Sequence, residues 1–498
     1  QNFVPLYNEF FSLNATNFNS INLNHKWHIT EFVQKNDENK YICTIKNEEQ
    51  KKKVPSFFKF SPLVDPIKFL VGKYRKKTVD VLPSLEKTEG FSKLNRSNNA
   101  AYVDSFFSFL SSKAIHTHGF YHGVDFYGSF LAIKDHFHYN IADDIDYLCE
   151  SEFFQKNKGD KFSIDSAYEE LFSSFNTRNY KRRLKLGDSL KISLDDTSPL
   201  DEKSLNEVFI TDDISKNNIE VAETASTNSS MCSSRSSHTS NGSDGEGEDE
   251  EDKYSDAESQ GSGSTGSLST LPDDVIEAIL KKFPVQIICL EALDGTLDSI
   301  LDQLDDEEWR ACLFQIIMSL VVYRKMFDLT HNDLHTNNIM YKKTDKMYLF
   351  YRYKGELYKV PTFGRIYKII DFGRAIYKYK GKRICSDSFH PKGDAATQYN
   401  CPPYFNENKP RLEPNPSFDL CRLGCSLYDF FDPAEENREE ELTDPITKLV
   451  DKWCKDDTGR NILYKSNGDE RYPEFKLYKM IVRTVHHCPP EKEIENPI

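Results

Sequence analysis

The sequence predicts an α+β fold with a small strand-rich first half and a helical second half. Three observations predict it: short β-branched and aromatic runs before residue 210, a compact apolar run at 285–290, and a long amphipathic segment at 306–326. Apolar runs bounded by turn residues are typical of strands, whereas apolar residues three and four positions apart are typical of helices.

The composition is that of a globular, acidic chain. Of the 498 residues, 38% are hydrophobic and 13% aromatic, which is enough apolar material for a core. The net charge of −15 makes the chain a poor candidate for coating nucleic acid. No apolar run approaches the roughly 20 residues that span a bilayer, and no signal peptide is visible. We therefore expect no nucleic-acid partner and no membrane partner. A monomer is expected as well, although nothing in the sequence specifies the oligomeric state.

The cysteines indicate the compartment. There are eleven of them, at irregular spacing and without a C-x-x-C pair. This pattern favours reduced thiols and a cytoplasmic location. Cys421 and Cys425 are four residues apart, which we interpret as one buried helix face and not as a metal site.

The first half contains four strand-like segments and one helical segment. The strand-like segments lie at 27–33, 41–45, 56–60 and 126–133. Polar residues at 35–39 form a turn signal, so the first two strands are predicted to pair as a hairpin. A helix is predicted at 98–110, where Tyr102, Phe106 and Leu110 share one face.

The second half opens with a strand at 285–290 and continues into a long helix. Asp305 is a predicted helix N-cap, and Glu308 three residues later completes a capping-box pattern. Apolar residues at helical spacing then predict one helix over 306–326.

A low-complexity stretch separates the two halves. Residues 221–270 contain ten acidic and two basic residues and few apolar ones. Such a segment buries too little apolar surface to offset the entropy of ordering, so we expect a disordered, solvated spacer. The predicted division is a first unit at 1–210, a disordered insertion at 211–270, a last strand and hinge at 271–293, and a helical unit at 294–498.

Two motifs carry the chemistry. The first, HNDLHTNN, lies at 331–338, and the second, DFG, lies at 371–373. Phosphoryl transfer needs a carboxylate that accepts the proton of the attacking hydroxyl, and oxygen ligands that hold magnesium against the nucleotide phosphates. A loop of the form H-x-D-L-x-x-x-N supplies one carboxylate and one amide, and D-F-G supplies a second carboxylate. The order of the two motifs predicts a phosphoryl-transfer site built from Asp333, Asn338 and Asp371.

The chain resembles the serine/threonine protein kinases of giant nucleocytoplasmic DNA viruses. The phrases that carry the resemblance are FKFSPLVDP at 58–66, DFYGSF at 125–130, THNDLH at 330–335 and KIIDFGRA at 368–375. The resemblance covers roughly residues 50–135 and 280–485. It implies a bilobal protein-kinase-like fold, with a small β-rich N-lobe, a helical C-lobe and a disordered acidic insertion. It also implies ATP, Mg²⁺ and transfer to Ser/Thr hydroxyls of protein substrates.

The resemblance assigns roles to the motif residues. Asp333 would be the catalytic base, and Asn338 and Asp371 would hold magnesium. Lys59 would contact the α- and β-phosphates and pair with Asp104.

The resemblance also places the adenine site and one supporting residue. The backbone of Glu291 and Leu293 would bind adenine, and Leu290 would close the back of the pocket. Asp419 would hold the backbone of the 331–338 loop.

A second lysine competes for the phosphate-binding role. Lys134 ends the sequence LAIK, with Glu150 or Glu152 as its partner. The order of the elements favours Lys59, because two strands precede it and a helix follows. An exposed lysine on a strand face is the alternative for both.

Several residues depart from the family pattern. No glycine precedes Gly72, so the glycine-rich phosphate loop is missing. Asn332 replaces an arginine, so activity is expected not to depend on phosphorylation of the activation segment. His335 replaces a lysine, and residues 347–353 predict an extra hairpin. A small-molecule kinase of the choline or aminoglycoside type, and a pseudokinase scaffold, remain the alternatives.

Overall fold

The computed structural model describes residues 3–18, 25–85, 90–164, 276–431 and 444–495, and it shows a mixed α+β fold. This agrees with the α+β class predicted from the sequence. The predicted disordered insertion at 211–270 lies outside the described residues.

The described residues contain fifteen strands and ten α-helices. The strands are β1 (His28–Lys35), β2 (Lys40–Lys46), β3 (Lys51–Pro62), β4 (Phe126–Lys134), β5 (Phe137–Asn140), β6 (Phe162–Ile164), β7 (Glu277–Leu280), β8 (Phe283–Glu291), β9 (Gly295–Thr296), β10 (Ile339–Lys343), β11 (Tyr348–Tyr353), β12 (Glu356–Pro361), β13 (Arg365–Ile369), β14 (Ile376–Tyr379) and β15 (Lys382–Cys385). The helices are α1 (Pro66–Leu70), α2 (Ser92–Asn95), α3 (Ala100–His118), α4 (Ile145–Glu150), α5 (Glu152–Asn157), α6 (Asp306–Phe327), α7 (Phe418–Phe431), α8 (Pro445–Trp453), α9 (Phe475–Thr484) and α10 (Pro490–Glu495).

A five-stranded antiparallel sheet organises the first half. Its order is β1-β2-β3-β8-β4, and it contains all four strands predicted before residue 210. The predicted hairpin is the β1–β2 pair. Strand β8 lies between β3 and β4, so Ile288 is opposite both Lys59 and Ser129. The sheet therefore holds Lys59 beside the strand that leads to the predicted hinge.

Helix α3 packs against this sheet and is longer than predicted. Its N-cap is Asn99, whose side chain accepts a hydrogen bond from the Ala101 N–H at 3.1 Å. It ends at Gly119, where φ is +66°, a conformation that favours glycine. The prediction of 98–110 stops too early because serines interrupt the apolar pattern. One of them, Ser111, is buried and hydrogen-bonded to the Tyr323 hydroxyl at 2.7 Å.

The long helix of the second half follows the sequence prediction closely. Helix α6 spans Asp306–Phe327 and begins with the predicted capping box. The Asp305 carboxylate accepts from the Glu308 N–H at 2.9 Å, and the Glu308 carboxylate accepts from the Asp305 N–H at 3.2 Å. This helix leads directly to the 331–338 loop and fixes where that loop begins.

The second half contains more strand than predicted. Between α6 and α7, strands β10 and β13 pair with each other, β11 pairs with β12, and β14 pairs with β15. The β11–β12 pair is the hairpin predicted near 347–353. Strand β13 covers most of the apolar run at 367–370 that precedes DFG, whereas β10, β14 and β15 are short and partly polar, so their pattern does not distinguish them from loops.

The cysteines of the described residues lie inside the protein. The ten cysteines in the described residues are buried and form no disulfide. Cys421 and Cys425 lie on the buried face of α7, as interpreted. No group of three or more His, Cys, Asp or Glu side chains in the described part of the chain is arranged to hold a metal. The helices that the structure describes are too short or too polar for any one of them to cross a membrane.

Candidate active site

The candidate site is centred on Lys59, which bridges two carboxylates from distant parts of the chain. Its Nζ lies 2.7 Å from Oδ2 of Asp104 on α3 and 2.8 Å from Oδ1 of Asp371 after β13. The Asp104 side chain is only 4% exposed, whereas that of Asp371 is 45% exposed. One carboxylate therefore anchors the lysine from inside, and the other faces a more open space.

These contacts set the charge states of the three groups. Although burial opposes ionisation, the Lys59 ammonium lowers the pKa of Asp371 to about 2. Burial also disfavours a charged lysine, but the two carboxylates hold the pKa of Lys59 above its ordinary value. Burial raises the pKa of Asp104, although Lys59 acts in the opposite direction. The cluster therefore carries a charged lysine beside an ionised Asp371 at neutral pH.

The backbone after Asp371 is held by the same helix. Asp371 has φ of +63°, in the left-handed region that aspartate tolerates better than most residues. The Phe372 N–H donates to Oδ1 of Asp104 at 2.9 Å. The Phe372 ring is buried and lies 4.3 Å, centroid to centroid, from the ring of Phe107. Asp104 therefore ties α3 to both the lysine and the 371–373 segment.

A buried carboxylate holds the backbone of the 331–338 loop. The two oxygens of Asp419, on α7, accept hydrogen bonds from the N–H groups of His331 and Asn332, each at 2.9 Å. Asp419 is 2% exposed, and burial raises its pKa against the effect of these donors. This is the position that the sequence analysis gave it.

The two motifs lie side by side. The Ile370 N–H donates to the Asn338 carbonyl at 3.0 Å. In the other direction, His331 Nε2 donates to the Ile370 carbonyl at 2.9 Å. The pairing of β10 with β13 continues this contact. Asp333, Asn338 and Asp371 therefore belong to one region, although 38 residues of sequence separate the first from the last.

Asp333 is held by groups from three elements. Its Oδ1 accepts from the Tyr478 hydroxyl at 2.9 Å and lies 3.6 Å from Nη1 of Arg374. Its backbone carbonyl accepts from Asn338 Nδ2 at 2.9 Å. Oδ2 has no hydrogen-bond partner among the described residues, so one oxygen of this carboxylate is free to accept a proton.

Two side-chain oxygens fit a hard divalent cation. Asn338 donates through Nδ2 to the Asp333 carbonyl and to His335 Nε2, and its amide oxygen has no hydrogen-bond partner among the described residues. The same holds for Oδ2 of Asp371, since Lys59 and the Gly373 N–H both contact Oδ1. Mg²⁺ is commonly held by one or two protein oxygens together with phosphate and water. The residues present therefore fit magnesium bound jointly with a phosphate ligand.

The predicted hinge residues lie at the end of the central sheet. Leu290 and Glu291 end β8, and Leu290 is 9% exposed. The Glu291 carboxylate pairs with Lys368, and its N–H donates to the Asp125 carbonyl at 2.9 Å. The Leu293 N–H donates to no backbone carbonyl in the described part of the chain. The side chain of Glu291 is thus committed to the fold, while the backbone at Leu293 stays available.

Lys134 does not join the site. Its Nζ lies 3.7 Å from Glu38 and 3.8 Å from the centre of the Phe60 ring. Glu152, one of the two proposed partners, is bound by Lys156 instead. The resemblance of LAIK to a phosphate-binding strand is local only, because Lys134 lies at the far end of β4.

Three contributing residues were not predicted. Arg374 lies beside Asp333 and pairs with Asp394 at 2.7 Å. Tyr478 and Arg422 complete the surroundings of Asp333 from α9 and α7. Arg374 follows the DFG motif directly and was within reach of sequence reasoning. Tyr478 is 145 residues from Asp333 and belongs to no motif, so the sequence contains no signal for it.

His335 is expected to make the protein less stable in acid. It is buried, and burial lowers its pKa to about 4 although Asp333 opposes this. A histidine in the unfolded chain takes up its proton near pH 6.5, so acid favours unfolding. The free energy of unfolding should fall by roughly 3 kcal/mol from this residue as the pH decreases from about 6.5 to 4.

Urea unfolding of wild type and His335→Asn above and below this range measures the effect. The variant should lose less stability on acidification. His25 and His122, whose pKa values burial also lowers to about 4, stay in both proteins and provide the common background. Equal losses in the two proteins would contradict the prediction.

A distant similarity links the chain to a curated protein. No protein-family model matches the chain. One curated relative, described as a "putative serine/threonine-protein kinase" of Acanthamoeba polyphaga mimivirus, is 27% identical over 153 residues. The match covers 29% of this chain and 35% of the relative's length. The similarity hints at a kinase-like relationship and at phosphoryl transfer, and it specifies no substrate.

Proposed function

We propose that this chain is an ATP- and Mg²⁺-dependent serine/threonine protein kinase with a bilobal protein-kinase-like fold. The observation that carries the proposal is the position of Lys59 between Asp104 and Asp371. A partly buried cation held by a buried helix carboxylate, beside a more exposed carboxylate with a free oxygen, suits the binding of a metal-complexed polyphosphate. The distant viral relative supports the same chemistry.

In this proposal each residue of the cluster has a separate task. Lys59 binds the α- and β-phosphates, and Asn338 and Asp371 hold the metal. Asp333 accepts the proton of the acceptor hydroxyl through its free Oδ2. Leu290 closes the back of the adenine site, where the Glu291 carbonyl and the Leu293 N–H bind the base. Bound Mg²⁺ would neutralise charge on the phosphates.

The protein contributes mainly position and charge. The Asp419 carboxylate fixes the backbone of the loop that carries Asp333. Asp104 fixes the orientation of both Lys59 and the 371–373 segment. Preorganised groups of this kind lower the barrier because they need no rearrangement during the reaction.

Phosphate transfer from γ-labelled ATP tests the proposal. The full chain is incubated with Mg²⁺ and either a protein pool or a pool of small hydroxylated metabolites, with Asp371→Asn as the inactive control. Label on Ser/Thr of proteins supports the proposal, and label on metabolites alone would assign a small-molecule kinase.

A scaffold role is the alternative that the β1–β2 turn favours. Residues 36–39, between the two strands, contain no glycine that would let the backbone cover phosphates. A Mg²⁺-dependent thermal shift with ATP, without transfer to any acceptor, would favour that alternative.

Activity is expected to be independent of phosphorylation in the activation segment. Asn332 is fully buried and satisfied, because it accepts from the Tyr399 hydroxyl at 2.5 Å and donates to the Arg374 carbonyl at 3.0 Å. The neutral side chain of Asn332 cannot form an ion pair with a phosphate group on the activation segment. Ser386 and Ser388, which follow the DFG motif by fewer than twenty residues, are both buried. Phosphatase treatment should leave the transfer rate unchanged, and a loss restored by rephosphorylation would show the opposite.

A further inference from the structure

A tyrosine from the C-terminal part of the chain contacts the predicted catalytic carboxylate. Tyr478 lies on α9, and its hydroxyl is 2.9 Å from Oδ1 of Asp333. The same hydroxyl is 3.0 Å from Nε of Arg422 on α7. Tyr478 and Arg422 are 7% and 4% exposed, so bulk water competes little with these contacts.

The direction of both hydrogen bonds follows from the chemistry of the groups. A guanidinium only donates, so Arg422 Nε donates to the Tyr478 oxygen. The single proton of the phenol is then directed to the carboxylate, which only accepts. Burial raises the pKa of Tyr478, so the phenol stays protonated and remains a donor.

The surroundings of Tyr478 hold the ring in place independently of its hydroxyl. The ring stacks on Phe475 at a centroid distance of 5.3 Å and packs against Phe418 at 5.8 Å. The guanidinium of Arg422 lies 5.2 Å from the centre of the ring. These contacts are kept when only the hydroxyl oxygen is removed.

We propose that Tyr478, oriented by Arg422, is a positioning residue for Asp333. Its hydroxyl donates to Oδ1 of Asp333, and Nη1 of Arg374 lies 3.6 Å from the same oxygen. These two contacts fix the rotation of the carboxylate. Oδ2, which has no hydrogen-bond partner among the described residues, is then the oxygen presented to the acceptor hydroxyl. This inference rests on the proposed function, since it assigns Asp333 the role of proton acceptor.

Removal of the hydroxyl alone tests the inference. Tyr478→Phe should lower kcat about tenfold, the order of effect of one hydrogen bond to a charged group. The KM for ATP and the KM for the protein substrate should stay unchanged, because neither is bound by Tyr478. The matched control is Tyr472→Phe, because the hydroxyl of Tyr472 has no hydrogen-bond partner among the described residues. A wild-type kcat in Tyr478→Phe would overturn the inference and leave the proposed function intact.

A second measurement does not depend on activity. Melting temperatures of the wild type, Asp333→Ala, Tyr478→Phe and the double variant form a double-mutant cycle. The cycle measures the coupling between the two side chains. A double variant that loses less than the sum of the single losses supports the hydrogen bond, and additive losses would overturn it. If the cycle shows coupling between the two residues but the wild-type protein transfers no phosphate, the proposed function is overturned. The positioning role is then overturned with it.

Discussion

Asp333→Asn should reduce phosphoryl transfer by about 10²- to 10⁴-fold while nucleotide binding is kept, because general-base catalysis contributes an effect of this size. The substitution preserves the shape of the side chain. Its amide oxygen can still accept from the Tyr478 hydroxyl, and Asn338 still donates to the backbone carbonyl. What is lost is the basic oxygen that takes the proton. Initial rates with labelled ATP and calorimetry of ATP binding measure the two properties separately.

A matched substitution controls for the change of charge. Asp345 is exposed in the turn between β10 and β11, so Asp345→Asn removes one negative charge without touching the site. It should transfer phosphate at the wild-type rate. Normal turnover in Asp333→Asn would remove the basis for a kinase assignment, whatever the control does.

Sequence reasoning reached those parts of the site that local motifs encode. Within each motif, HNDLHTNN and DFG, the residues are neighbours in sequence, so each motif already specifies which of its side chains share a loop. The pairing of Lys59 with Asp104 was also within reach, because the order of strand and helix suggested it. The structure places these two groups 2.7 Å apart. Their catalytic roles stay predictions.

The parts that sequence reasoning missed depend on tertiary contacts. Tyr478 reaches Asp333 only because α9 packs beside α7, and no periodicity reveals such a pairing. Lys134 contacts Glu38 because it lies at the far end of β4. Helix α3 continues past Leu110 because Ser111 finds a hydroxyl partner on α6. In each case a distant partner decides the outcome.

Lys59→Met should abolish most phosphoryl transfer and also destabilise the protein. The substitution leaves an unbranched side chain one atom shorter and removes the cation between two carboxylates. Asp104 would then be buried without its ion-pair partner, a change that costs on the order of 3 kcal/mol or more in other proteins. Transfer assays and urea unfolding measure the two effects.

The same substitution should change how stability depends on pH. In the wild type, Lys59 lowers the pKa of Asp371 to about 2, although burial acts against this. An unfolded aspartate titrates near 3.9, so this stabilisation is present above that pH and is lost as the pH falls towards 2. In Lys59→Met the contribution should be smaller at every pH above about 4. Unfolding curves at a series of pH values would show a flatter acid limb.

Two further variants separate catalysis from stability. Lys134→Met removes a lysine whose charged contacts in the described part of the chain are with Glu38 and the Phe60 ring, so it should be nearly neutral for both properties. Lys59→Met combined with Asp104→Asn replaces the unpaired carboxylate by an amide that can still accept from the Phe372 N–H. This double variant should regain stability but not activity, since no cation is left to bind phosphate. Loss of transfer in Lys134→Met with full activity in Lys59→Met would instead assign the phosphate-binding role to Lys134.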